Sequence, residues 1–74
     1  MTYQELGQFI KEERKKLQLT QKELAQLTNI SERTIREIET GNQIHSNNIT
    51  GILKIFGWEL NIEYTIYKQP NQSK

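Results

Sequence analysis

Cysteine is absent from the 74 residues, which excludes a disulfide framework and any thiolate metal site. A single histidine, His45, leaves no imidazole pair to hold zinc, and carboxylates alone favour harder ions. No apolar run is long enough to span a bilayer. The first residues carry charge from Glu5 onward, unlike a signal peptide. A soluble, cytoplasmic protein with no membrane partner is therefore expected. Also missing are a nucleophile–base pair, a phosphate-cradling glycine loop and a metal-ligand cluster. The expectation is no enzyme, no catalytic residue, no metal and no cofactor. Excess charge is lacking too: the net value is +1. Lys11, Arg14, Lys15, Lys16, Lys22, Arg33 and Arg36 lie in the first half, with Glu59 and Glu63 near the end. Acids are interleaved among those cations, so a solvated helix surface explains them as readily as a binding face. This length allows one small domain with one modest core.

What the chain does have is punctuation. Residues 20–41 read as two short helices joined by a tight turn. Thr20 with Glu23 forms a capping box, and Ser31 is a good N-cap for the second helix. Leu24, Ala25 and Leu27 make the inward side of the first, and Ile35 and Ile38 that of the second. Between them, Asn29 tolerates a left-handed backbone and Ile30 can plug the corner. Gly41 ends the pair as a C-cap. Helices this short are unstable alone, so the remaining chain must support them.

Thr2 with Glu5 is a second capping box, opening a helix to about Leu17 with Leu6, Ile10 and Leu17 on one face, Phe9 alongside and Arg14 close by. Tyr3 and Phe9 read as packing residues. After Gly41 comes a polar loop, Asn42-Gln43-Ile44-His45. Ser46 then caps a fourth helix to Phe56, with Ile49, Ile52, Leu53 and Phe56 inward and Gly57 at its end. Gly51 weakens that helix by roughly 1 kcal/mol relative to alanine.

From Trp58 the period becomes two. Trp58, Leu60, Ile62, Tyr64 and Ile66 alternate with Glu59, Asn61, Glu63, Thr65 and Tyr67, as in a strand with one buried face. Residues 68–74 hold the only proline and read as a disordered tail. With no second strand legible, the strand's backbone groups lack partners. Pairing with the same strand of a second copy, antiparallel about a two-fold axis, answers this best. Ile55, off the inward face of the fourth helix, would join Trp58, Leu60, Ile62, Tyr64 and Ile66 in that interface. An extended tail over its own helices, or pairing with another protein's sheet, are the alternatives.

The residues 20–41 pattern is that of a helix-turn-helix. Arg14, then Thr20-Gln21-x-x-Leu24-Ala25, then Ile30-Ser31-x-x-x-Ile35, then Ile38-Glu39-x-Gly41 resembles the Xre or lambda-repressor-like family over about residues 3–57. Asn29 departs from the family's usual glycine, at little cost. A four-helix domain ending in a dimerising strand resembles the HipB-type antitoxins, which accompany HipA-type kinase toxins. The expected architecture is mainly α: a four-helix DNA-binding domain over residues 1–57, a dimerisation strand over 58–67 forming an intersubunit antiparallel ribbon, and the tail.

The resemblance implies that residues 31–40 enter the major groove of double-stranded DNA. Glu32, Arg33 and Glu37 would then face base edges, with Arg36 adjacent. Arginine can bond guanine bidentately and glutamate can accept from cytosine N4. The competing reading is surface charge paired at i,i+4. Gln21, Lys22, Ser31 and Thr34 match phosphate-holding positions, and Asn42, Gln43, Asn47 and Asn48 could do the same, although turn-forming and capping explain Asn42 and Asn47 equally well. Arg14 would reach Glu39 as a structural ion pair. The implied protein is a homodimeric repressor of a palindromic operator, an antitoxin paired with a kinase-like toxin. The alternatives are a stand-alone regulator of phage-repressor or restriction-modification type, or a module that neutralises a toxin with DNA contact secondary.

Overall fold

The structure, a computed structural model, describes residues 2–42, 46–60 and 66–68. Its elements are α1 (Tyr3–Lys16), α2 (Gln21–Thr28), α3 (Glu32–Glu39), α4 (Ser46–Ile55), β1 (Trp58–Leu60) and β2 (Ile66–Lys68). Each early helix starts where its cap lies. Thr2 and Thr20 both accept from the backbone three residues on, and Glu5 and Glu23 reach back to complete the boxes. Ser31 accepts from the Thr34 amide at the start of α3. α4 begins at Ser46 itself rather than after it, a difference of the size expected at a helix end.

The ends are set by left-handed residues. Gly41, at φ +88°, follows α3; its amide bonds the Ile38 carbonyl while the Asn42 amide bonds that of Glu37. This is the paired closure of a Schellman motif. Gly57, at φ +81°, follows α4, and Asn29, at φ 59°, makes the α2–α3 turn. Gln18 takes the same conformation after α1 at φ 59°. Glutamine carries no propensity signal for that role, so the sequence shows only a short link there.

Among the described residues, nine apolar side chains form the core: Leu6 and Ile10 of α1, Leu24 and Ala25 of α2, Ile35 and Ile38 of α3, and Ile49, Ile52 and Leu53 of α4. Phe9, Leu19, Ile30, Phe56, Trp58 and Ile66 pack around them. Burying a side chain of this size contributes about 1.5–3 kcal/mol.

Three apolar residues expected inside are outside. Leu17 is 53% exposed because it caps α1 beyond the last helical turn. Leu27 is 56% exposed. At about 100° per residue the line midway between Leu24 and Ala25 runs through position 28, not 27. Thr28 takes it, half-buried, with its hydroxyl bonded to the Leu24 carbonyl at 2.8 Å. Tyr3, at the first position of α1, is 44% exposed.

The two mid-helix glycines differ. A Cβ on Gly7 would overlap the Ile38 carbonyl oxygen of α3, so glycine permits the close approach of α1. A Cβ on Gly51 would meet nothing within 4 Å. Gly51→Ala is therefore expected to raise stability by about 0.4–1 kcal/mol through helix propensity and a less flexible unfolded chain. A thermal melt with an unchanged or lower midpoint would contradict it.

The strand expectation needs correction. The described residues contain two short strands that pair antiparallel within one chain: Trp58 with Lys68, Glu59 with Tyr67 and Leu60 with Ile66. The alternation reads the same in one long strand and in two arms of a hairpin, because both arms preserve the period of two. Trp58 and Ile66 pack on the chain's own core. β2 also takes in Lys68, the first residue of the expected tail. Ile62 and Tyr64 lie outside the described residues.

Trp58 ties this sheet to α1. Its ring stands edge-on to Phe9 with centroids 5.4 Å apart, and its Nε1 donates to Glu13 at 3.0 Å. Lys16 donates to the other oxygen of Glu13 at 2.9 Å. The hydrogen bond from Lys16, aided by that from Trp58, holds the Glu13 carboxyl below its ordinary value, while the same contact raises Lys16.

Candidate nucleic-acid interface

A buried polar cluster sets where α3 sits. Arg14 and Glu39 are each only 8% exposed. The guanidinium meets the carboxylate twice, Nε to Oε2 at 2.7 Å and Nη2 to Oε1 at 3.0 Å. Its third nitrogen, Nη1, donates to the Leu19 carbonyl at 2.7 Å. The Gln21 amide donates to Glu39 Oε1 at 3.1 Å. One fork thus joins the end of α1, the link after it, the start of α2 and the last turn of α3. Among the described residues every buried side-chain polar atom has a partner, so the charges enter the interior without orphaned groups. Such a pair orients elements more than it adds net stability.

With Ile35, Ile38 and Glu39 turned inward, α3 carries Arg33 and Glu37 on the opposite side and Glu32 and Arg36 along one flank. They form two rows at helical spacing. In one, Arg36 Nη2 lies 3.6 Å from Glu32 Oε2; in the other, Arg33 Nε lies 3.4 Å from Glu37 Oε2. Pairing at i,i+4 is thus present, but exposed pairs of this kind are worth at most a few tenths of a kcal/mol. The Arg33 side chain is 83% exposed, so a stronger acceptor would draw it away.

The other candidates divide. Ser31 Oγ accepts from the Thr34 amide at 3.1 Å and donates to Thr34 Oγ1 at 2.9 Å. Capping therefore occupies Ser31, while Thr34 keeps its own hydroxyl proton to donate outward. Lys22 and Ser31 line one shallow open groove between α2 and α3, with Gln26, Asn29 and Glu32. Gln21 is half-buried and held by Glu39, a tie that sequence spacing does not reveal. Asn42 is exposed and its amide closes α3. Asn47 is exposed and Asn48 half-buried at the start of α4. Gln43 lies outside the described residues. No group of three or more potential ligands for a metal ion occurs among the described residues, and none of their helices is long and apolar enough to cross a membrane.

Two short helices across a left-handed asparagine, the second with a charged outer face, define the class: a helix-turn-helix regulator that binds DNA. The helix-turn-helix family model matches residues 10–60, and the chain belongs to that family, in its Xre or lambda-repressor-like form. It is accordingly a DNA-binding transcription regulator of the Xre type. Comparison with curated proteins gives no match.

Proposed function

We propose that the protein is a homodimeric, sequence-specific repressor that reads a palindromic operator through α3. The observation that carries this reading is the four-residue charged face of α3, held outward by the buried Arg14–Glu39 fork. Glu32, Arg33, Arg36 and Glu37 take the base-contacting role. Lys22 and Thr34, with Gln21 and Ser31 behind them, hold phosphate at the entrance of the two helices, where free amides suit an anion. Asn42, Gln43, Asn47 and Asn48 extend that contact along the backbone.

Dimerisation is supported by two features. A two-stranded sheet is marginal by itself and leaves edges open to a further strand. Ile55, 42% exposed, adds apolar surface just before β1. Two recognition helices about a dyad would engage half-sites about 34 Å apart or a multiple of that distance. A HipB-like role, with a kinase-like toxin as second partner, is the fuller form of this proposal. Its test is co-expression with the neighbouring reading frame and pull-down.

Arg33→Ala is the deciding variant for DNA. Operator affinity is expected to fall by about 1–3 kcal/mol, a factor of roughly 5 to 150, with the melt unchanged. Affinity for the operator should also drop steeply with added salt. Should Arg33→Ala leave operator binding intact, α3 would not be the reading element. Intact toxin neutralisation together with weakened operator binding would separate the two partners.

A further inference from the structure

The geometry points to an operator whose half-sites present G·C pairs, not A·T pairs, under α3; this rests on the repressor reading above. The argument begins from what α3 carries. Its sequence, Glu-Arg-Thr-Ile-Arg-Glu-Ile-Glu, has no asparagine and no glutamine, the two side chains that bond adenine N6 and N7 bidentately. Its exposed side chains are of two kinds, guanidinium and carboxylate, and each stands beside one of the other kind.

Across the major groove a G·C pair offers acceptor, acceptor, donor: guanine N7, guanine O6, cytosine N4–H. The complement is two donors followed by an acceptor, and a guanidinium next to a carboxylate supplies that order. An A·T pair offers acceptor, donor, acceptor, then a methyl group. Against that edge the same order sets the second guanidinium donor on the adenine N6–H donor and the carboxylate on thymine O4, so repulsion replaces two of the three bonds. The glutamates, a liability beside phosphate, thereby become the means of rejecting A·T. The Arg33–Glu37 separation of 3.4 Å brings the two groups side by side. Successive turns of α3 are about 5.4 Å apart, between one and two base-pair steps. Each row spans about one turn, and the row holding Glu32 and Arg36 is offset from the other by one residue, about 1.5 Å along the axis and roughly 100° around it, with the charges in reversed order. Reversed order suits a G·C pair with its strands exchanged.

The test is selection from a duplex pool randomised over both half-sites, using the full chain, followed by titration of the selected duplex and its point variants. G·C is expected at one to three adjacent positions per half-site, and replacing any of them with A·T should weaken binding roughly 5- to 150-fold. Arg33→Gln, at an exposed position, should melt like the parent and move one position per half-site from guanine towards adenine. Selected half-sites with A·T at the positions under α3 would overturn the inference while leaving the repressor reading intact. So would Arg33→Gln weakening all duplexes alike, which marks a phosphate contact. Recovery of no preferred sequence would instead overturn the repressor reading, and this inference with it.

Discussion

Replacing Arg14 with alanine is expected to leave the chain largely unfolded near the parent's melting range. The carboxylate of Glu39, 8% exposed, would lose both of its charged bonds, at 2.7 and 3.0 Å, and keep only the Gln21 amide. Breaking a buried pair from one side costs about 3–5 kcal/mol. A domain this small has little more than that to spare. For its length the loss corresponds to a fall in melting temperature of very roughly 15–30 °C. The Leu19 carbonyl would also lose its donor, loosening the link into α2. Circular dichroism melts check the stability, and titration with a selected operator checks the binding. Unchanged melting with unchanged affinity would remove the fork from its assigned role. A double variant, Arg14→Met with Glu39→Met, separates orientation from stability. Apolar replacement of both partners removes the stranded charge, so folding should largely return. Gln21 would still lack its acceptor, so DNA binding should remain weakened.

The second large effect is expected from Gly7→Ala. Alanine is the better helix former by about 1 kcal/mol, and propensity alone would make the variant more stable. Packing reverses the sign. The added methyl would overlap the Ile38 carbonyl oxygen and lie 3.1 Å from that of Glu39, both backbone atoms of α3. Backbone held by a helix cannot rotate aside as a side chain would, so α1 must move away. That movement opens the core around Leu6 and Ile10 and pulls on the Arg14–Glu39 fork. The net loss should be about 1–3 kcal/mol, read as a lower melting midpoint and accompanied by weaker operator binding. The same chemical change at Gly51, where the space is open, is expected to go the other way. A pair of melts shifting in the same direction would contradict this account of α1 on α3.

The helices were readable because their signals are local. Capping boxes at Thr2–Glu5 and Thr20–Glu23 act over three residues, and Asn29, Gly41 and Gly57 mark their turns by backbone preference alone. Ile35 and Ile38 are buried as their period requires. Leu27 lies outside although the sequence pattern points it inward, because two neighbouring apolar residues leave the centre of a helix face ambiguous by one position. Thr28 fills that centre by bonding its own helix backbone, which no hydrophobicity pattern records. Gln18 is illegible for the opposite reason: it adopts a left-handed conformation, at φ 59°, with no residue preference to announce it.

Sequence by itself determined the four helices, their order, the turn between α2 and α3, and the four charged residues of α3. All of these follow from periodicity and from contacts within one turn. Tertiary structure alone decided three things. It showed that Gly7 is a contact point and Gly51 is not, since the difference lies in a carbonyl more than thirty residues away in the chain. It held Gln21 against Glu39, turning an apparent surface amide into part of the fork. And it folded residues 58–60 and 66–68 upon each other, because alternation records which side of a strand is buried and says nothing about which strand lies beside it.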